Sequence, residues 1–133
     1  MAGARLFAYG TLRDPDVLRA VLGRVPAIDA RARMHGHVAL TVVGDSYPIL
    51  VPRAGAVTPG SVLSGLGAAD WLALDRYEGP GYRRLPVRVS TADGMVAADA
   101  YFPRQGLRAT DAAWDLADWT RRHKPAFLRR LRP

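Results

Sequence analysis

Apolar and polar positions along this chain recur with two periods, and the switches between them mark out its elements. Arg5 to Tyr9 is a short apolar run with an aromatic at each end of its core, stopped by Gly10, the pattern of a buried strand. Asp14-Pro15 reads as a helix N-cap followed by proline at the first helical position. Val17, Leu18, Val21 and Leu22 then recur at helical spacing, so Pro15 to Leu22 is a short amphipathic helix ended by Gly23. Ile28 to Val43 is uneven, but Val38 to Val43 is a clear β run, turned by Gly44-Asp45. Tyr47 to Val51 is extended, with Pro48 implying a strand start, an edge or a bulge. A loop rich in Pro, Ala and Gly is expected next. Ser61 to Leu66 is strand-like, and Ala68 to Tyr77 sets Trp71, Leu72, Leu74 and Tyr77 at helical spacing, with Asp70 in the first turn and Gly79 at the end.

Leu85 to Val89 and Met95 to Phe102 alternate around Ala92-Asp93-Gly94, a hairpin with a glycine turn. Thr110-Asp111 opens a last helix carrying Trp114, Leu116, Ala117, Trp119, Phe127, Leu128 and Leu131, broken or kinked by Pro125. Its aromatic stripe, Trp114, Trp119 and Phe127, reads as a face packed on the sheet. Five or six strands with three helical segments and no β-α-β alternation give an α+β class, and the Gly and Pro residues that must curve the strands suggest a small barrel. The 133 residues are enough for one compact domain and too few for two ordinary ones, so residues 1–133 are read as a single domain.

Composition narrows the chemistry. Apolar residues make up 49% and charged residues 23%, an ordinary globular balance. Cysteine is absent, which removes disulfides, thiolate metal sites and cysteine nucleophiles. No apolar run approaches the roughly 18 residues of a membrane span and no signal-peptide order is present, so a soluble cytoplasmic protein is expected. The net charge is +7 and Lys124 is the only lysine. The arginines are scattered through every segment, and the one dense cluster is Arg121-Arg122-His123-Lys124 with Arg129, Arg130 and Arg132. A contiguous basic face interleaved with aromatics is not found outside that cluster, so no nucleic-acid partner is expected.

Two segments carry candidate chemistry. A strand ending in Tyr9-Gly10-Thr11-Leu12 exposes several N–H groups at one point, and a helix starting at Pro15 adds partial positive charge nearby, so the turn can hold an anion. It can equally be an ordinary strand-ending turn. Glu78 sits in the last turn of a helix, where the macrodipole disfavours its charge by about 0.3–1 kcal/mol; an apolar cavity around it would raise its pKa further. The other reading of Glu78 is a solvated side chain paired with Arg83 or Arg84. Tyr82 and Tyr101 could set phenols into a cavity, while Tyr47-Pro48 reads as shaping the barrel. His35 and His37 alternate like a metal pair but lack Cys or acidic companions, so they and His123 are read as surface. No Ser-His-Asp order, phosphate loop or zinc-helix motif is present.

Taken in order, Phe7-Ala8-Tyr9-Gly10-Thr11-Leu12-Arg13, Tyr47-Pro48, Leu74-Asp75-Arg76-Tyr77-Glu78-Gly79 and Tyr82-Arg83-Arg84 resemble the γ-glutamylcyclotransferase-like, or AIG2-like, family over nearly the whole chain. The resemblance implies a compact β-barrel with flanking helices, in which a γ-glutamyl group cyclises to 5-oxoproline and releases the attached amine. By this likeness Glu78 matches the catalytic carboxylate, and Tyr9, Gly10, Thr11 and Leu12 match the substrate-gripping turn, with Tyr82 and Tyr101 as further substrate contacts. It implies no metal or organic cofactor, a small-molecule γ-glutamyl substrate, and a monomer or homodimer.

The Tyr-Gly-Thr-Leu form is more similar to the γ-glutamylamine and AIG2-like branch than to enzymes acting on glutathione, which tend to carry serine in the third position. Many relatives follow the turn with a basic residue and a nearby glycine, whereas Arg13 here precedes Asp14-Pro15, which can reshape one wall. The alternative is a non-catalytic small-molecule or anion-binding protein that keeps the fold.

Overall fold

The computed structural model describes residues 4–131. The elements in chain order are β1 (Leu6–Ala8), α1 (Pro15–Leu22), β2 (Ala27–Val42), β3 (Pro48–Ser64), α2 (Ala68–Glu78), β4 (Tyr82–Thr91), β5 (Gly94–Pro103), β6 (Ala109–Ala113), α3 (Leu116–Arg122) and α4 (Lys124–Leu131), with a 3-10 turn at Thr11–Arg13. Five strands close into a barrel in the order β3-β1-β5-β4-β2, with β2 pairing back onto β3, and β6 adds to β2. The β1–β5 pair is parallel and the other pairings are antiparallel. This is the mixed α+β barrel the sequence pattern implies. Among the described residues no helix is long and apolar enough to cross a membrane.

β1 explains why its sequence is apolar at every position. Phe7 and Tyr9 point to a cluster with Met34, Leu50, Val62, Val89 and Ala100, drawn from all five barrel strands and therefore inside the barrel. Leu6 and Ala8 point the other way, to a cluster with Val17, Leu18, Trp71, Leu74 and Trp119 from the helices. A strand buried on both faces needs a continuous apolar run. Each fully buried Leu or Phe here contributes roughly 1.5–3 kcal/mol. The helices cover the outer face of β1, α1 packing on α2 and α4, and α3 on α4. The stripe of Trp114, Trp119 and Phe127 joins this layer, with Trp119 and Phe127 edge to face at 5.3 Å.

Three local expectations are corrected. The stretch expected as a Pro, Ala and Gly loop after Val51 is strand: β2 and β3 run for 16 and 17 residues as one long ribbon. Register shifts between Asp29 and Ala32 and between His35 and His37 bend it, and such irregular ladders tolerate Pro52 and Pro59. Thr110-Asp111 does not open a helix but lies in β6, where the Thr110 hydroxyl donates to Thr41 O at 2.9 Å. The true N-cap is Asp115, which accepts from the Asp118 N–H at 2.9 Å. The break expected at Pro125 is present: α3 ends at Arg122, and Pro125 falls in the first turn of α4, where no N–H is required. Leu72, expected on the packed face of α2, is 68% exposed.

Candidate active site

The turn after β1 is fixed from several sides. Gly10 lies against Pro48, whose Cγ would be 3.0 Å from any added Cβ. The Arg13 N–H donates to Gly10 O and the Asp14 N–H to Thr11 O, both at 3.0 Å. The Asp14 carboxylate then caps α1, accepting from the Asp16 and Val17 N–H groups at 2.9 and 3.2 Å. Among the described residues, the N–H groups of Gly10, Thr11 and Leu12 have no acceptor, and all three residues line a cavity of about 480 Å³.

Glu78 lines the same cavity. It is the last residue of α2, which stops there because Gly79 turns to φ +76°, a left-handed backbone that glycine adopts without strain. The buried face of α2 carries Trp71 and Leu74, and its start is tied down by Asp70, which accepts from the Gly67 N–H at 2.9 Å and from Arg24 at 2.6 Å. Among the described residues the Glu78 carboxylate has no hydrogen-bond or ion-pair partner, and it is the cavity's only charged side chain. Burial, with the nearby Asp75 charge adding to it, pushes its pKa up to about 8. It is also the only glutamate in the chain. Arg84, one of the partners expected for it from the sequence, instead lies 3.6 Å from Asp75 and 3.9 Å from Asp99.

The phenols around Glu78 are held in fixed roles. Tyr9 donates to Tyr101 O at 2.5 Å, Tyr82 donates to Pro48 O at 2.9 Å, and Tyr101 donates to Asp75 Oδ1 at 2.7 Å. Burial raises the pKa of all three above the ordinary tyrosine value, so they stay neutral. Each phenol's only proton is therefore committed to the protein, and what it can offer a ligand is an acceptor lone pair. Backbone N–H donors at one wall and a carboxylate with phenolic acceptors at another suit a guest with both an anionic and a cationic group.

Every residue expected at the site from the sequence, namely Tyr9, Gly10, Thr11, Leu12, Glu78, Tyr82 and Tyr101, lines this one cavity. Tyr47 and Pro48, read as shaping the barrel, line it too, as do Tyr77, Leu107, Phe127 and Leu131, which the sequence reading left out of the site. Tyr77 could have been found from its place beside Glu78; Leu107 has no signal in the sequence. His35 is exposed on β2, with Nε2 3.3 Å from Ser90 Oγ. Among the described residues no group of three or more His, Asp or Glu could hold a metal ion.

Comparison with known proteins adds a family. The profile described as gamma-glutamyl cyclotransferase, AIG2-like, matches residues 6–121. AIG2-like protein A of Arabidopsis thaliana is 29% identical over 126 residues, covering 92% of this chain and 76% of its own length. A solution structure from Arabidopsis thaliana superposes with a TM-score of 0.71 at 30% identity, covering 95% of this chain and 86% of that one. A structure described as gamma-glutamyl cyclotransferase shares the fold, with a TM-score of 0.69 at 16% identity over 96% of this chain and 85% of its own.

Proposed function

Because this chain belongs to the gamma-glutamyl cyclotransferase, AIG2-like family, we propose that it is an enzyme that cyclises a γ-glutamyl group to 5-oxoproline and releases the attached amine, with Glu78 as general acid and base. The observation that carries this reading is that Glu78, raised to about 8 and unpartnered, shares one cavity with the unpaired N–H groups of the Tyr9 to Leu12 turn.

The substrate's α-carboxylate takes the N–H groups of Gly10, Thr11 and Leu12, since no Lys or Arg side chain among the described residues lines the cavity. Its α-ammonium then lies toward Glu78 and the phenolic acceptors. Raising Glu78 toward the range of an amine narrows the gap the proton must cross, which makes the carboxylate a better general base. The freed amine attacks the substrate's own γ-carbonyl carbon, forming the lactam C–N bond. Glu78 gives that proton to the leaving nitrogen as the original C–N bond breaks, then takes the second proton shed by the lactam nitrogen and passes it to the departing amine, which leaves as its ammonium. Proton transfer of this kind contributes about 10²–10⁴-fold. Holding the folded-back conformer, with nucleophile and electrophile in one molecule, supplies much of the rest.

The test is incubation of the protein with γ-glutamyl dipeptides, glutathione, γ-glutamyl-lysine and γ-glutamyl polyamines, with 5-oxoproline and free amine measured by mass spectrometry. Equimolar lactam and amine from at least one compound is expected. Binding without release across the panel would favour the non-catalytic alternative.

A further inference from the structure

Strand register gathers residues that are far apart in sequence onto one outer face of the barrel. Arg31, Arg33 and His35 of β2 alternate with the buried Ala32 and Met34, and so point outward. Arg33 pairs with Pro59 of β3 and with Ser90 of β4, His35 pairs with Val57, and Ser90 pairs with Met95 of β5. Arg88 stands two residues from Ser90, across the buried Val89, and shares that face. None of these residues lines the reaction cavity, and the helices pack over β1 instead.

The cations of this face have no counter-charge within the protein. Among the described residues, the exposed guanidiniums of Arg31, Arg33 and Arg88 make no ion pair and no hydrogen bond. Several arginines elsewhere are matched, Arg19 by Asp16, Arg24 by Asp70, and Arg121 and Arg122 by Asp118. Asp29 on β2 accepts from the Arg31 backbone N–H at 3.0 Å, and Asp93 lies in the β4–β5 turn, but neither carboxylate reaches these guanidiniums. Scattered apolar side chains are ordinary on a surface. Here Met95, 52% exposed, and Val57, 45% exposed, stand in the same paired rows as the cations.

Guanidinium forks match carboxylates in geometry and charge, and clustered arginines recur as recognition surfaces for acidic segments. A second copy of this chain does not fit, because two such faces of a protein with net charge +7 repel each other. Nucleic acid is the weaker match: the face presents no Phe, Tyr or Trp on which a base could stack, and no element that enters a groove.

We infer that the outer face of β2, β4 and β5 around Arg33 and Arg88 is a docking surface for an acidic protein segment in which carboxylates alternate with apolar side chains. The carboxylates meet Arg31, Arg33 and Arg88, and the apolar groups cover Val57 and Met95. Such docking does not depend on the chemistry of the cavity.

The probe is a fluorescein-labelled peptide of alternating glutamate and valine, titrated with the full chain and followed by fluorescence anisotropy. Native protein should bind it, less tightly as salt is raised, and should bind the same peptide with glutamine for glutamate at least about tenfold more weakly. The double variant Arg33→Gln/Arg88→Gln should lose at least about tenfold in affinity for the acidic peptide. Arg121→Gln/Arg122→Gln, which removes the same charge from α3, should change it less than about twofold. Met95→Ser should weaken binding by roughly threefold, as an exposed apolar contact is lost. All the substituted side chains are exposed or lie at the surface of the barrel, and unfolding curves check that each variant folds. Absence of binding by native protein, an equal loss in the two double variants, or tighter binding of a single-stranded oligonucleotide than of the peptide overturns the assignment.

Discussion

The Thr11 hydroxyl and the Tyr77 phenol lie 2.6 Å apart across 66 positions of sequence, joining the turn after β1 to the helix turn that carries Glu78. Either oxygen can be the donor. Phe127 packs edge-on against Tyr77 at 6.3 Å, so the link is braced from α4 as well. Tyr77→Phe keeps the ring and removes the bond. Stability should fall by about 0.5–1.5 kcal/mol, and kcat/KM for 5-oxoproline formation by roughly tenfold, as the two halves of the site lose registry. Urea denaturation and steady-state kinetics check the two effects.

As the only glutamate, Glu78 can be followed by itself. Protein labelled with [13C]glutamate should show one side-chain carboxyl resonance titrating near pH 8 rather than near 4.5. A carboxyl whose pKa is raised on folding binds its proton more tightly in the native state. Its contribution to stability is therefore full below about pH 4.5 and lost as pH rises to about 8. Glu78→Gln, which has no proton to lose, should gain stability relative to native protein across that window, and the gap should level off above it.

Gly60 is needed where β3 crosses β1. An added Cβ would stand 2.5 Å from Ala8 O and 2.6 Å from the Phe7 ring, so backbone or a buried ring must move. Gly60→Ala should cost about 1–3 kcal/mol in a denaturation midpoint, the range for overpacking a core. Because β1 leads directly into the turn, substrate affinity should weaken with it.

Lys124 reaches back from the start of α4 to Asp14 at 2.9 Å and Asp16 at 2.8 Å, both beside the N-terminus of α1. It holds down the helix whose Phe127 and Leu131 wall the cavity. Lys124→Met should raise KM more than it lowers kcat. Asp14→Ala should destabilise the fold further, because the helix cap, worth about 0.5–2 kcal/mol, is lost together with the ion pair.

The parts of this structure that were legible in the sequence are those governed by local rules. Asp14-Pro15 and Gly23 bracket α1, and the Ala92-Asp93-Gly94 turn marks the β4–β5 hairpin. Glycine after Glu78 placed that residue at a helix end. The failures have tertiary causes. Pro52 and Pro59 read as loop because a proline's fit in a ladder depends on which way its missing N–H would point, which only pairing with β2 decides. Thr110-Asp111 resembles a cap, but its hydroxyl is engaged by Thr41 across the sheet. At the site, the turn and Glu78 were identifiable from their local geometry and family likeness. Leu107 was not: it lines the cavity only because the fold sets it against Gly81.

The central claim is that the Glu78 carboxyl moves the proton between attacking and leaving nitrogens. The direct measurement is 5-oxoproline release by Glu78→Gln, using the best γ-glutamyl substrate of the native protein, alongside its unfolding curve and substrate affinity. The account predicts a fall in kcat of about 10²–10⁴-fold with cooperative unfolding and substrate binding retained. Release by the folded variant at a rate within twofold of the native protein would contradict it.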